Sequence, residues 1–141
     1  PFQTREADTN VLLEDGSVNL TGTKVGNAPQ TSFGFGFKFN VVGDLTIDAD
    51  YNVYSNLYGF VDARDVVTAS QEGTVYQAEG LPAYDVLDAG ISYKFRFGTS
   101  DMTVRGNVYN AANRMYLSQR DSFGYFWGNG RTWNLSLRYN F

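Results

Sequence analysis

Few residues in this chain could do covalent chemistry. There is no histidine and no cysteine among the 141 residues, which removes the commonest general base, the commonest metal ligand and every thiolate nucleophile, and with them Ser-His and Cys-His catalysis. Asp48 and Asp50 stand two apart, a spacing that puts both carboxylates on one face of a strand. They could act as a carboxylate pair or hold a cation, but solvated charge on an interior wall is the simpler reading. Gly34-Phe35-Gly36-Phe37 opens like a dinucleotide fingerprint, yet the pattern is incomplete and no helical segment follows it. What remains is binding chemistry. The segment from Tyr116 to Trp127 carries Arg120, Asp121, Phe123, Tyr125 and Phe126, and aromatic and Arg residues on a connecting loop are disproportionately recognition residues. The reading is therefore of a protein that is not an enzyme and needs no cofactor. The net charge of −4 also argues against nucleic acid, whose binders carry basic patches.

The elements that position these residues are strands. Phe 11, Tyr 10, Trp 2 and Gly 15 against three prolines favour strands and turns over helices. Residues 31–41 alternate Phe33, Phe35, Phe37 and Phe39 with Gly34, Gly36 and Lys38, so one face is a Phe stripe and the other is nearly bare. Gly43-Asp44 marks a tight turn into a strand over 45–56, with Leu45, Ile47, Ala49, Tyr51 and Val53 on one face and Thr46, Asp48, Asp50 and Asn52 on the other. A long polar stretch from 56 to 82 precedes a third strand over 84–97, where Leu87, Ala89, Ile91, Tyr93 and Phe95 oppose Asp88, Gly90, Ser92, Lys94 and Arg96. Residues 98–101 turn the chain into a fourth strand over 102–110, in which Met102, Val104 and Val108 oppose Thr103, Arg105 and Asn107. A loop over 111–130 leads to a last strand, 131–141, with Trp133, Leu135, Leu137, Tyr139 and Phe141 opposite Asn134, Ser136, Arg138 and Asn140.

The pattern is that of a membrane sheet. Each strand approaches the roughly 9 to 11 residues that a tilted strand needs to cross a bilayer. The connections alternate short and long, as the periplasmic turns and extracellular loops of outer-membrane barrels do. The apolar faces carry no charge except Asp85 and Arg131 at outer ends, where the cost falls towards zero from the roughly 2 to 4 kcal/mol of Arg or Lys at mid-membrane. Phe39, Phe95, Phe97, Tyr139 and Phe141 gather at the ends beside the short turns, as in an interfacial aromatic girdle. A mean hydropathy below zero does not oppose this, because lumen-facing residues offset lipid-facing ones. No run of about 18 apolar residues suggests a membrane helix. A soluble antiparallel sandwich is the alternative that the two-faced strands leave open.

Three segments and the closing strand resemble one family. Residues 130–141, ending in an aromatic after alternating apolar residues, look like the closing strand of a TonB-dependent receptor, with Leu137, Tyr139 and Phe141 resembling the signal read by the barrel-assembly machinery. Val25-Gly26-Asn27-Ala28-Pro29-Gln30, Leu81-Pro82-Ala83-Tyr84-Asp85-Val86 and Val104 to Asn113 resemble the family's late strands, and Leu57-Tyr58-Gly59-Phe60 looks most like receptors of Bacteroidota. The resemblance implies an all-β antiparallel transmembrane barrel of about 22 strands around a plug, with this chain as its last five or so strands. It implies an outer-membrane active transporter of a Gram-negative bacterium that imports a scarce ligand such as a siderophore, haem, vitamin or glycan. The partners implied are outer-membrane lipid, the remaining strands and plug of the same protein, the TonB complex and a small-molecule or glycan ligand.

The expected organisation is a loop region over 1–29, with a small hairpin of Val11–Leu13 and Val18–Leu20 around Asp15-Gly16, followed by barrel strands over 30–141. With no leader-like start, the chain is expected to be a C-terminal piece. Asp48, Asp50, Asp88, Lys94, Arg96, Arg105 and Arg138 are expected to face the lumen and the plug. Tyr116, Arg120, Phe123, Tyr125, Phe126 and Trp127 are the candidates for ligand contact; they could equally pack on neighbouring loops or the outer lipid leaflet. A passive barrel or adhesin, or a soluble carbohydrate-binding sandwich, are the competing functions.

Overall fold

The computed structural model describes residues 11–13, 16–18 and 22–140. The elements in chain order are β1 (Val11–Leu13), β2 (Gly16–Val18), β3 (Pro29–Val42), β4 (Leu45–Tyr58), α1 (Ala63–Gln71), β5 (Gly80–Leu81), β6 (Tyr84–Phe97), β7 (Ser100–Tyr109), β8 (Leu117–Asp121), β9 (Gly124–Trp127) and β10 (Thr132–Asn140). The chain falls into two compact units, one of residues 32–54, 84–116 and 128–141, the other of 1–31, 55–83 and 117–127.

The first unit is an antiparallel sheet in the order β10-β7-β6-β4-β3. Its register keeps the two faces chemically separate from strand to strand. Ile47 lies opposite Ile91, Ile91 opposite Gly106 and Gly106 opposite Leu135, all apolar or bare. Asp48 lies opposite Gly90 and Gly90 opposite Asn107, all polar or bare. A slip of one residue in any pairing would mix the faces, so the alternation itself pins the register. Two hairpin turns close one end of the sheet. Gly43 and Gly98 take φ of 55° and 64°, the positive value that type II′ hairpins require at their first central position. The second turn is tighter than the sequence suggests: Phe97 pairs directly with Ser100, so only Gly98-Thr99 turn and β7 starts two residues early.

Among the described residues no layer packs on the apolar face. Phe33 is 65% exposed, Trp133 75% and Leu135 78%, although these are the side chains that a sandwich would bury first. No large side chain among the described residues is fully buried. Among the described residues the face that a sandwich would bury is thus left open. Nor is any helix among the described residues long and apolar enough to cross a membrane.

The second unit holds two features inside stretches whose sequence pattern is that of loops. Within the polar stretch after β4, Asp62 caps α1, its Oδ1 accepting from Arg64 N at 2.8 Å and satisfying an otherwise orphaned helix donor. Val66 of α1, with Leu57 and Leu81 opposite each other on β4 and β5, forms this unit's buried apolar residues. Within the loop after β7, β8 and β9 form a hairpin. Asp121 Oδ1 accepts from Phe123 N at 2.8 Å and Gly124 N at 3.2 Å, an Asx turn that reverses the chain. β1 and β2 pair as a second small hairpin, Val11 opposite Val18, with Gly16 inside β2 rather than in the turn, while Asn19 and Leu20 lie outside the described residues.

Candidate functional site

Every charged residue expected to share one face does so by register. Asp48 and Asp50 on β4, Asp88, Lys94 and Arg96 on β6, Arg105 on β7 and Arg138 on β10 all lie on the polar side. The structure joins some of them and leaves others apart. Arg105 donates from Nη1 and Nη2 to the two carboxylate oxygens of Asp48, at 2.9 and 2.8 Å, and from Nε to Asn107 Oδ1 at 2.8 Å. To reach β4 from β7 the guanidinium must cross β6, and Gly90 lets it pass. A Cβ on Gly90 would stand 2.5 Å from Asp48 Oδ2 and 2.7 Å from Arg105 Nη2. Gly34 and Gly36 serve the neighbouring strand in the same way, since a Cβ on either would meet the side chains of Asn52 and Asp50. The glycines between the Phe residues are thus the space that β4's polar side chains fill.

Asp50 lies opposite Asp88, and no three His, Cys, Asp or Glu side chains gather among the described residues as a metal would need. Asp88 has a structural partner, accepting from Asn110 N at 2.8 Å. Arg96 pairs with Asp101 at 3.3 Å in an exposed position. Lys94 and Arg138 both lie opposite Thr103, bordering a hollow near the hairpin turns that Asp44 and Asp101 also line.

Asn110, to which no sequence pattern assigns a role, organises the long connection after β7. It is only 3% exposed and takes a φ of 50°, a conformation that Asn tolerates better than most residues. Its Nδ2 donates to Arg114 O and Asn129 O, at 2.8 and 3.0 Å, while its Oδ1 accepts from Arg114 N at 2.8 Å. Asn113 Oδ1 accepts from Arg131 N at 3.0 Å. The two Asn side chains tie both ends of the connection to the sheet. Asp85, the carboxylate on the apolar side of β6, is neutralised by Arg114 at 3.5 Å.

The candidate ligand residues divide between the units. Tyr116 belongs to the unit that holds the sheet, where it stacks on Tyr84 with ring centroids 4.1 Å apart, and Tyr84 meets Tyr54 at 5.0 Å. Gly128 leaves the space that the Tyr116 ring occupies. Arg120 and Tyr125 face each other across the β8–β9 hairpin and share a carboxylate that sequence gave no reason to single out. Arg120 Nε lies 2.8 Å from Glu79 Oε2, and Tyr125 donates its hydroxyl to Glu79. That hydrogen bond raises the Tyr125 phenol above its ordinary pKa, against a smaller opposing pull from Arg120. Asn27 Oδ1 accepts from Arg120 N at 3.0 Å, and Phe60 N donates to Arg120 O at 2.9 Å. These contacts hold the hairpin's charged pair in place. They leave Phe123, 93% exposed, and Trp127, 63% exposed, as its free aromatic surface.

A two-faced sheet whose apolar side is uncovered among the described residues, with two-residue turns closing its hairpins, is the geometry of a membrane barrel wall. A family model described as TonB dependent receptor-like, beta-barrel, matches residues 2–111. The chain belongs to that family. It is thus part of an antiparallel barrel wall in the Gram-negative outer membrane, from a family of receptors and transporters rather than enzymes. The sheet of this receptor segment is open, with β3 and β10 at its edges. No curated protein and no solved structure matched the chain. Of the closing-strand residues Leu137, Tyr139 and Phe141, the first two lie on the apolar side of β10, with Tyr139 hydroxyl 3.0 Å from Ser100 Oγ. Phe141 lies outside the described residues.

Proposed function

We propose that this chain supplies late wall strands of a TonB-dependent active transporter. In this reading, external loops capture a scarce ligand and a plug domain, driven through TonB, passes it to the periplasm. The observation that carries the proposal is the sheet's division of labour. An apolar side whose carboxylate, Asp85 near the end of β6, is paired with Arg114 suits lipid, while a side held by the Asp48–Arg105 bridge and open at Asp50 suits a wet lumen with a plug in it. Backbone groups at the edges of such a sheet have no partner in lipid, so β3 and β10 must pair with further strands. About eight strands is the usual minimum for closure, and the family's barrels suggest about 22.

The short turns Gly43-Asp44 and Gly98-Thr99 are then periplasmic, and the β8–β9 hairpin is extracellular. The described residues before β3 belong to an outer loop region ahead of the barrel strands in the same orientation; the rest of residues 1–29 lie outside the described residues. Phe123, Phe126 and Trp127 are the ligand-contact residues, with Arg120 and Tyr125 set behind them by Glu79. Tyr116 acts on the lumen side, in line with Tyr84 and Tyr54. Lys94, Arg96 and Arg138 face the plug near the periplasmic rim, and Leu137, Tyr139 and Phe141 form the assembly signal. The resemblance around Leu57 to Phe60 supports an origin in Bacteroidota. Siderophore, haem, vitamin and glycan all fit an aromatic capture hairpin.

The test is uptake by cells carrying the full-length receptor, with and without a functional TonB complex. Active transport requires that binding persist but accumulation cease without TonB, and that Phe123→Ala with Trp127→Ala weaken binding at unchanged receptor abundance. Accumulation that continues without TonB makes the protein a passive barrel; surface binding with no accumulation under either condition makes it an adhesin.

A further inference from the structure

The apolar side of the sheet is not uniformly ridged. Ala89 and Ile91 on β6, Gly106 and Val108 on β7, and Trp133 and Leu135 on β10 line a trough of about 480 Å³. The trough exists because three adjacent strands place small side chains beside large ones. Ala89 pairs with Val108, and Val108 with Trp133; Ile91 pairs with Gly106, and Gly106 with Leu135. Gly106 forms the floor without being sterically required there. A Cβ on it would meet only the Ile91 Cγ2, at 3.7 Å, which is ordinary contact, and its φ is not positive. Nothing in the sheet's packing calls for the missing side chain.

The trough lies towards the end of the sheet with the long connections. Trp133 is the second residue of β10 and Val108 the last but one of β7. At that end the alternation of Trp133 and Leu135 continues into Arg131, about 7 Å further at the rise of an extended strand. Its backbone N is held by Asn113 Oδ1. Among the described residues its guanidinium has no ion-pair partner, nor do those of Arg64 and Arg138, whereas Arg96, Arg105, Arg114 and Arg120 each have one; Arg131 is the one of the three that continues the alternation of the trough residues Trp133 and Leu135. A cation on the same alternation as an apolar trough matches the two halves of one amphiphilic molecule.

We propose that this is a seat for a phosphorylated, anionic lipid of the outer leaflet, with one acyl chain lying in the trough and the headgroup phosphate beside Arg131. The occupant follows from continuity with the membrane-facing side of the wall, because only acyl chains reach that surface. The charge follows from Arg131, since a guanidinium near a bilayer surface attracts anionic headgroups and is shaped for phosphate. The proposal rests on the transporter wall facing lipid with this side, and its test separates the two.

Trp133 is a built-in reporter. The full-length receptor is reconstituted into mixed vesicles of phosphatidylglycerol and phosphatidylcholine in which either the one or the other lipid is mid-chain dibrominated, and Trp133 emission is isolated by subtracting the Trp133→Phe protein. The expected result is quenching about twofold stronger when the anionic lipid carries the bromine, reflecting enrichment of anionic headgroups at Arg131. Arg131→Gln should remove the difference between lipids, and Gly106→Leu, which fills the trough, should lower quenching in phosphatidylglycerol. Heat-modifiable migration on gels checks that the Gly106 variant is folded, and the Arg131 variant carries the test independently if it is not. Equal quenching in both lipids, or a preference that survives Arg131→Gln, overturns the seat while leaving the membrane orientation intact. No quenching in either lipid overturns both.

Discussion

Arg105 spans an intervening strand to hold Asp48, its Nη1 and Nη2 at 2.9 and 2.8 Å from the two carboxylate oxygens, over a glycine whose Cβ would obstruct it. A forked, charge-assisted pair fixes geometry as well as energy, and it links three strands at mid-sheet. Asp48→Asn or Arg105→Gln should each lower barrel stability by about 1 to 2 kcal/mol, a modest figure because the guanidinium remains partly in water. Gly90→Ala should cost at least as much, because it pushes the pair apart. Denaturant melts of the refolded full-length receptor measure all three, and a double-mutant cycle isolates the pair. Additive losses from Asp48→Asn and Arg105→Gln would show that the bridge contributes nothing.

Asn110 closes the connection that leads to the capture hairpin. Asn110→Ala leaves a buried carbonyl and amide without partners, a loss of about 1 to 3 kcal/mol, and it also strains a backbone held at positive φ. Asn110→Gly relieves only the strain. Protease cleavage within residues 111–130 should therefore accelerate in both variants, and more in the Ala variant. Unchanged cleavage in both would mean that the side chain does not hold the loop.

Tyr125 gives the hairpin a pH dependence. Its phenol is raised by the hydrogen bond to Glu79, so the neutral form is favoured in the folded loop. The stabilisation is fully present below the ordinary tyrosine value of about 10 and is lost as pH rises through the raised folded value. Tyrosinate absorbance, taken as the difference from Tyr125→Phe, should show this tyrosine titrating above an ordinary one, and Glu79→Gln should bring it down. A titration indifferent to Glu79 would contradict the contact.

The strands and their two faces were legible in the sequence because membrane alternation is a local signal. Phe33 to Phe39 announce themselves within seven residues, and the register follows from keeping faces matched. The Arg105 site was legible only in part. The residue types at Asp48 and Arg105 place them on one face, but their bond depends on strand order and on Gly90 standing between them. The role of Glu79 was not legible at all, since it rests on a contact with residues 41 and 46 positions away that no local periodicity reports. Helix α1 left a readable trace, an N-cap Asp62 before a short amphipathic run, which the surrounding polar stretch obscured. The β8–β9 turn left another in Asp121 and Gly124.

Charge placement should discriminate the two faces. Ile91→Arg sets a cation at the middle of β6 on the apolar side and should cost about 2 to 4 kcal/mol. Val86→Arg, on the polar side of the same strand near Asp88, should stay within about 0.5 kcal/mol of the parent. Folding yields and unfolding midpoints in bilayers report both. Similar penalties at the two sites would deny that the faces see different solvents.

The most direct test of the central claim, that one face of this sheet meets lipid and the other a wet lumen, is a nitroxide scan of β6 in the full-length receptor. The absence of cysteine from this chain suits it to single-cysteine labelling at Ile91, Ser92, Tyr93 and Lys94 in turn. The account predicts that labels at Ile91 and Tyr93 relax chiefly through oxygen, which concentrates in hydrocarbon, and that labels at Ser92 and Lys94 relax chiefly through a water-soluble nickel chelate. A reversed pattern, or four positions equally accessible to the chelate, would contradict it.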